Sequence, residues 1–565
     1  GDAAVYILML LSGFYIARYE PALIGLFTRL VIAMIAVEAL AGMWQRYVEL
    51  PELHQRIVEG TQHVPSSLQS TVGQHRLLGL DVMGTFLNPN SFAAYMLVGI
   101  WLTAGVIVAS IVSGAKKRIL AAVLLIGLMV FALSLTNSKG GLVACAAGAW
   151  FFAVQRVGLA RPQWRATLKY LTIGGIGLVL LLLLLGMAGA LPMPDSLNVR
   201  FDYWRAGGGM IASDPLRGMG LSGFSETYSY FKTPLGTEVK DAHNDYLQLW
   251  AELGLLGPLL YLALWAMVLG VFKQSGGVIS GGVTWSEDAV RARKLELAAL
   301  AGGVMGFLLC YATAQPFSSD NLFKLLAGNT HGTLYGAFVA LALPAVFVCI
   351  VILLRPMISA VRSAADASQA AAQTAWAHGL KAAIGAVLIH QVVDFDFKAQ
   401  AVMCALLLLG GMLYAVRVQS TAPLGPRSPS VLSTVSRFVL PVCAAMLLPI
   451  IALMPAWSGQ SRLEAETLEE EARDAAENKP PDGADRASDS EYRALRRRIA
   501  EERLYAAKAA PLDGSAWLDL AHAYMLMERG YRSLSVHKEI MACLDQAERL
   551  RPLSVGALRK RQGSS

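Results

Sequence analysis

Charged residues are scarce in this chain and make up 16% of its 565 positions, against about 25% in a typical soluble domain. Hydrophobic residues account for 55%, and the mean hydropathy is +0.48. Many apolar runs approach or exceed about 18 residues, the length at which a helix can cross the hydrocarbon core of a bilayer. The composition therefore argues against a soluble globular protein and predicts an all-α, polytopic membrane protein embedded in a lipid bilayer.

Several chemical signatures are also missing. The six cysteines form no C-x-x-C pair, so neither a disulfide framework nor a zinc site is expected. The glycine-rich stretch within residues 214–224 lacks the G-x-x-x-x-G-K-[ST] spacing of a nucleotide-binding loop. The net charge of +7 does not indicate a nucleic-acid partner, because the basic residues fall mostly in short loops between apolar runs. We expect no cofactor.

The apolar runs predict about twelve membrane-spanning helices. They cover residues 4–18, 22–43, 90–113, 118–136, 140–156, 167–190, 245–272, 295–315, 330–354, 378–397, 399–417 and 436–456. No initiator Met and no basic segment precede the short first run, so no signal peptide is visible, and we expect the natural protein to begin further upstream.

Lys and Arg clusters occupy every second connection between these runs, as the positive-inside rule predicts for cytoplasmic loops. The alternate segments should then face the periplasm: 44–89, 137–139, 191–244, 316–329, the turn near 398 and the tail after 457. The expected organisation is N-terminal spans in 1–190, a large periplasmic loop at 191–244, C-terminal spans in 245–457, and a periplasmic helical tail at 458–565.

The tail differs in character from the rest of the chain. Trp517, Leu520, Ala521 and Tyr524 follow the W-x2-L-G-x2-Y spacing of a tetratricopeptide repeat, with Ala in place of Gly. The alternative is an ordinary helical hairpin. In either case we expect an interaction module that contacts a protein partner rather than a catalytic domain.

Five sequence blocks stand out along the chain. The large loop and the residues after it contain RFDYW at 200–204, DPLRGMGLSGF at 214–224, and AHNDYLQ at 242–248 followed by ELGLLG at 252–257. Upstream lie GTFLNPN at 84–90 and TNSKG at 136–140. These blocks resemble those of the O-antigen ligase and O-antigen polymerase family of membrane proteins. GTFLNPN looks like the family's G-x-F-x-N-x-N block, and TNSKG looks like its T-x-S-R-G block, with Lys139 where Arg is more usual. HQVVDF at 390–395 is a looser match.

The resemblance implies a bacterial inner-membrane glycosyltransferase with a site open to the periplasm. Such an enzyme transfers an oligo- or polysaccharide from undecaprenyl diphosphate to an acceptor hydroxyl without a metal ion. The acceptor decides the branch: lipid A core for a ligase, another carrier-linked glycan for a polymerase, or a protein Ser or Thr for an O-oligosaccharyltransferase. The ligase is our first choice. The repeat-like tail favours an assembly with a protein partner or a role in handling chain length.

The chemistry of this transfer selects the candidate residues. A neutral His can accept the proton of the attacking hydroxyl, so His243 is the candidate base. The departing diphosphate needs cations, and an Arg guanidinium binds it in a bidentate manner. Arg200, Arg205 and Lys139 are the candidates for binding the diphosphate, and Arg217 ranks after them. Asn90 is a further candidate for substrate binding.

Each candidate also has a structural interpretation. His243 could have a structural role at the membrane interface. Arg200 and Arg205 could form surface ion pairs with Asp202 or Asp214. Lys139 could extend to the interface as a snorkelling side chain. Asn88 and Asn90 could cap the helix that follows them.

Asp394 and Asp396 form a D-x-D triplet, which in some glycosyltransferases binds a divalent metal. Carboxylates near a membrane are costly and often functional. We nevertheless expect helix-end structure or packing against the substrate loop rather than metal binding, and we expect His390 to pack or form a hydrogen bond within the bundle.

Two other functions compete with the transferase. A transporter or flippase for the same lipid-linked glycan fits twelve spans, but it would more often show internal repeats and charges at mid-membrane. A catalytically inactive scaffold that binds glycan through its tail is the other.

Overall fold

The computed structural model of the chain describes residues 2–50, 81–86, 88–114, 119–220, 223–232, 239–271, 345–354, 366–396 and 399–419, together with short stretches elsewhere. In the described residues every regular element is a helix. Besides the short helix Ala345–Leu354, twelve α-helices are labelled here in chain order: α1 (Asp2–Tyr19), α2 (Ile24–Trp44), α3 (Pro89–Val112), α4 (Ile119–Ser134), α5 (Lys139–Ala160), α6 (Arg165–Met187), α7 (Asp195–Ser213), α8 (Gly223–Phe231), α9 (Asp245–Leu253), α10 (Leu256–Leu269), α11 (Asp366–His390) and α12 (Gln400–Gln419).

Five helical stretches in the described residues are long and apolar enough to cross a membrane. They are Ile24–Val48, Pro89–Val112, Lys139–Ala160, Pro162–Met187 and Gln400–Arg417. Shorter apolar helices cover Val5–Tyr19, Ile119–Ser134, Leu256–Leu269 and Ala345–Leu354. The all-helical membrane class is thus confirmed. The count of twelve spans stays a prediction, because the predicted spans 295–315, 330–354 and 436–456 lie largely outside the described residues.

Two predicted spans are wrong in detail. The predicted span 245–272 is two helices, α9 and α10, because the chain breaks at Gly254. That glycine has φ +67° and packs against the backbone of Leu216, which leaves no room for a side chain. The predicted span 378–397 begins earlier, at Asp366, and its helix ends at His390. The following residues form a turn whose polar side chains need partners that a membrane-exposed helix would not supply.

The large loop is itself helical. Within 191–244 lie α7 and α8, and they pack with α9 around a small apolar core. Phe201, Trp204, Phe224 and Tyr228 are buried there, together with Ala251 of α9. This second core lies over one end of the main bundle, so the loop is an ordered cap and not an irregular connection. Most of the tail 458–565, including Trp517 and Pro511, lies outside the described residues, and the repeat assignment stays a prediction.

Helices α3 and α11 approach each other through glycines. A Cβ added at Gly379 would lie 2.6 Å from the Cα of Gly105, so the two backbones are in direct contact. Membrane helices gain from such small-residue contacts because lipid offers no hydrophobic drive to association, and packing must supply the attraction. This contact fixes α11, whose last residue begins the site described below. Helix α6, in contrast, is exposed along nearly its whole length.

We expect Gly379→Ala to lower the stability of the protein in detergent by about 1–3 kcal/mol, the usual effect of overpacking. Gly175→Ala in α6 is the matched control, because no atom lies within 4 Å of a Cβ added there. Both substitutions gain the same helix propensity, so the difference between their melting temperatures reports the packing alone. Equal melting temperatures would contradict the contact between α3 and α11.

Candidate functional site

The site is organised by the turn at residues 391–396, which follows the end of α11. Two carboxylates leave this turn in different directions, although both are almost fully buried, at 1% exposure for Asp394 and 0% for Asp396. Asp394 Oδ1 lies 3.3 Å from His243 Nδ1, and its Oδ2 lies 3.5 Å from an Arg200 guanidinium nitrogen. Asp396 Oδ2 instead lies 2.5 Å from His390 Nδ1. The D-x-D triplet therefore holds two separate histidines.

His243 stands at a strained point of the backbone immediately before α9. Its φ is +48°, in the left-handed region that non-glycine residues rarely adopt. The ring stacks on Tyr203 at a centroid distance of 5.8 Å and meets the ring of Phe395 edge-on at 4.7 Å. The side chain keeps 22% exposure. Local strain of this kind concentrates at functional sites, and here it directs Nδ1 toward Asp394.

The residues on either side of His243 are fixed by hydrogen bonds. The indole N–H of Trp204 donates to the Ala242 carbonyl at 3.1 Å, and the Ala242 N–H donates to Gln248 Oε1 at 3.1 Å. The Asn244 side chain caps α9 by accepting from the Leu247 N–H at 3.0 Å. Ala242, which precedes His243, is therefore held by side chains of both α7 and α9. Asn244, which follows His243, is fixed as the cap of α9.

The predicted cations do not all meet at this point. Arg200, with 17% side-chain exposure, faces Asp394. Arg205 is exposed, pairs with Asp202 at 2.8 Å, and donates to the Met187 carbonyl at the end of α6 at 2.5 Å. Arg217 is exposed, and its backbone N–H bonds the Asp214 carboxylate. Of these three arginines, the geometry brings Arg200 to His243.

Lys139 is the exposed first residue of α5, next to the turn. Ser138 caps this helix by accepting from the Gly141 N–H at 3.0 Å. The neighbouring Gly140 presses on the turn, since a Cβ added there would lie 2.9 Å from a methyl group of Val393 and 3.6 Å from His390 Nε2. A lysine at a helix N-terminus combines a side-chain cation with the positive end of the helix dipole. The edge of the turn is therefore suited to an anion.

The loop at 81–86 supports that edge from behind. Gln45, which directly follows α2, accepts from the Met83 and Gly84 N–H groups at 2.9 and 3.0 Å, and buried Glu38 of α2 accepts from the Thr85 hydroxyl at 3.0 Å. The Val82 N–H donates to the Leu135 carbonyl at 3.1 Å. The loop thereby joins α2 to the connection between α4 and α5, which ends where α5 starts at Lys139.

Asn88 and Asn90 follow this loop. Asn88 caps α3 by accepting from the Asn90 N–H at 3.0 Å, as the capping interpretation predicts for one of the pair. Asn90 is half-buried in the first turn of α3. Its predicted contact with substrate stays a prediction.

Sequence reasoning missed several members of the site. It singled out Asp394 and Asp396 by their spacing but did not assign a histidine to each. His390 was expected to form a hydrogen bond within the bundle, and it does. The roles of Glu38 and Gln45 had no signal in the sequence, because a glutamate and a glutamine seven positions apart on a helix are not a motif. Their common face appears only once α2 and the loop are both placed.

The two carboxylates of the turn differ in pKa. Burial alone would raise the pKa of Asp394, but its hydrogen bond to His243 and the charges of His243 and Arg200 hold the pKa below its usual 3.8. Burial raises the pKa of Asp396 to about 6. Two carboxylates two residues apart are thus assigned different roles by their surroundings. Within the described part of the chain, no group of three or more His, Cys, Asp or Glu side chains is arranged to hold a metal ion.

Part of the chain is similar to a known protein family. Residues 120–262, about a quarter of the chain, match the family model described as O-antigen ligase. The match spans α4 to α10 and includes Lys139, Arg200 and His243. No match was found among curated proteins or among solved structures.

The helical bundle and the family match together indicate the class: a multi-pass membrane protein, part of which is similar to the O-antigen ligase family, whose members are membrane glycosyltransferases.

We expect Asp394→Asn to destabilise the protein at pH 7 by about 1–3 kcal/mol, because it leaves Arg200 and His243 without their buried partner. Since the pKa of Asp394 is lower in the folded than in the unfolded chain, its stabilising effect is present above about pH 4 and is lost as the pH falls through the folded value. The difference in melting temperature from wild type should therefore narrow below about pH 4.

Asp202→Asn is the control for this experiment. Its pair with Arg205 is exposed on both sides, so the expected cost is below about 1 kcal/mol. A destabilisation by Asp394→Asn that stays constant down to pH 3 would show that the ionised carboxylate is not the stabilising form.

Proposed function

We propose that the protein transfers an oligo- or polysaccharide from undecaprenyl diphosphate to an acceptor hydroxyl on the periplasmic side of the inner membrane, without a metal ion. Transfer to lipid A core is the favoured branch. The observation that carries the proposal is the constellation of His243, Asp394 and Arg200 at one end of the bundle. It combines a partly exposed base, a buried carboxylate that orients it, and a cation for the leaving group.

His243 has the geometry of a general base. Among its contacts with described residues, Nδ1 is the hydrogen-bonded ring nitrogen. When Nδ1 carries a proton and donates it to Asp394, Nε2 holds the lone pair. A carboxylate that fixes one tautomer and then stabilises the imidazolium is the arrangement by which a base is oriented in hydrolytic triads. Nε2 is therefore the atom that takes the proton of the acceptor hydroxyl.

The reaction balances with these groups alone. The acceptor oxygen forms a bond to the anomeric carbon while the bond from that carbon to the diphosphate oxygen breaks. The hydroxyl proton goes to His243 Nε2, and the electron pair leaves with undecaprenyl diphosphate. Negative charge develops on the diphosphate, and a positioned guanidinium stabilises it. Arg200 has five N–H donors, and its bond to Asp394 uses one nitrogen at 3.5 Å.

The position of the site supports a periplasmic reaction. Among the described residues, several segments that the positive-inside rule assigns to the outside are near one another: the loop 81–86 touches the connection between α4 and α5, and Gly140 of α5 touches the 391–396 turn. Arg200 and His243, from the large loop, join the same turn. At the opposite end of α12, Arg417 bonds the Val268 and Gly270 carbonyls.

The first test is a transfer assay with purified protein. The donor is an undecaprenyl-diphosphate glycan, the acceptors are lipid A core, a second carrier-linked glycan and a Ser-containing peptide, and EDTA is present or absent. We expect EDTA-insensitive transfer that falls by about 10²–10⁴ in His243→Ala. His378→Ala, about three helical turns along α11 from the site, is the matched control and should retain transfer.

The acceptor that works assigns the branch as ligase, polymerase or O-oligosaccharyltransferase. Transfer that survives His243→Ala would remove the base assignment. Absence of transfer with every acceptor, together with movement of the lipid-linked glycan across proteoliposomes, would identify a transporter.

A second test compares two arginines on one helix. We expect Arg200→Ala to reduce transfer by about 10²–10³, the usual effect of removing one group that stabilises developing charge. Arg205→Ala should change transfer by less than about threefold, because Arg205 is engaged with Asp202 and the end of α6. Equal losses in the two variants, measured as initial rates at saturating donor, would contradict the placement of Arg200 as the diphosphate cation.

A further inference from the structure

His390 and Asp396 form a second histidine and carboxylate pair at the same turn. Both side chains are at 0% exposure, and the bond between them measures 2.5 Å. No substrate reaches atoms buried to this degree, so the pair does not take part in transfer by contact. A buried ionic pair is also costly to form and is a weak source of stability. Its presence two residues from Asp394 calls for another explanation.

The pair closes the two ends of the 391–396 turn. His390 is the last residue of α11, and Asp396 is the last residue of the turn, so their bond fixes a loop of six residues against the helix end. The Val393 N–H donates to the His390 carbonyl at 3.0 Å. Asp394 lies in the middle of this closed turn, and the Phe395 N–H donates to its Oδ1 at 2.9 Å.

Other elements hold the same turn from outside. The Gln391 carbonyl accepts from the Asp245 N–H at 3.0 Å, which fixes the start of α9 beside His243. The Gln391 side chain accepts from the buried Tyr261 hydroxyl of α10 at 2.9 Å. Gly140 of α5 packs against Val393 and His390. Three helices therefore converge on a turn whose shape depends on the bond between His390 and Asp396.

We propose that His390 and Asp396 are positioning residues for the transfer reaction: their buried pair sets the 391–396 turn so that Asp394 reaches His243 and Arg200 together. The inference rests on the proposed function. The inference extends the proposed function by assigning a role to two residues that touch neither donor nor acceptor. The two distances from Asp394, 3.3 Å to His243 and 3.5 Å to Arg200, leave little room for a shift of the carboxylate in either direction.

The test is a double-mutant cycle on transfer rate. His390→Gln should reduce kcat by about tenfold in the otherwise wild-type protein. In the Asp394→Asn background the same substitution should reduce kcat by less than about twofold, because the group through which it acts is already neutralised. Multiplicative losses would overturn the proposal, since they would mean that His390 acts independently of Asp394.

A single substitution leaves one buried charge without its partner and is liable to misfold. The double variant His390→Gln, Asp396→Asn removes both charges and permits an amide hydrogen bond, so it serves in the same cycle. Its melting temperature should lie close to that of wild type while its kcat stays lowered. Wild-type kcat in a folded double variant would overturn the proposal.

Hydrogen exchange separates this inference from the proposed function. In His390→Gln, amide exchange of the peptides covering 391–396 and 243–245 should accelerate about tenfold or more, while peptides of α3 should not change. This readout does not require transfer. Unchanged exchange at 391–396 would overturn the positioning role even in an active protein. Accelerated exchange together with a wild-type protein inactive on every acceptor would instead show that the proposed function had failed, and with it the link to transfer.

Discussion

The rest of the site depends on one buried carboxylate shared between a histidine and an arginine. Asp394 is 1% exposed and lies within 3.5 Å of both His243 and Arg200, which come from different parts of the large loop. A carboxylate at this depth is tolerated because these partners compensate its lost hydration. The same bonds that permit its burial also hold the base and the diphosphate cation at a fixed separation. The position of the large loop and the geometry of the site are therefore linked through this carboxylate.

Membrane physics explains why so many helix ends meet here. Polar backbone and charged side chains are costly in the hydrocarbon core, so a functional site has to be assembled from connections at one surface. The start of α3, the start of α5, the end of α11 and the start of α9 all contribute. Each of the three helix starts is capped by a side chain, from Asn88, Ser138 and Asn244. The caps satisfy the first N–H groups and fix the backbone beside the candidate residues Asn90, Lys139 and His243.

The sequence predicts the all-helical membrane class because a helix that crosses the hydrocarbon core needs a long apolar run, and such runs are visible in the sequence. The predicted bounds of a span are wrong where a polar residue or a glycine breaks the helix while the mean hydropathy of the surrounding residues stays high. Gly254 divides a predicted span into α9 and α10, since its positive φ and its contact with Leu216 are properties of tertiary packing. Asp394 and Asp396 likewise end a predicted span early, because their partners come from residues more than a hundred positions away and from the end of α11 itself.

The sequence motifs predict which residue types belong to the site, and helix geometry decides which of two arginines lies there. Arg200 and Arg205 have the same chemistry and are five residues apart, so at 3.6 residues per turn they point about 140° away from each other on α7. One face of α7 carries Phe201 and Trp204 into the small core, and Arg200 lies at the margin of that face toward the turn. Arg205 is directed to Asp202 and the end of α6. Once α7 is recognised as a helix that caps the bundle, only one of the two arginines can share Asp394 with His243.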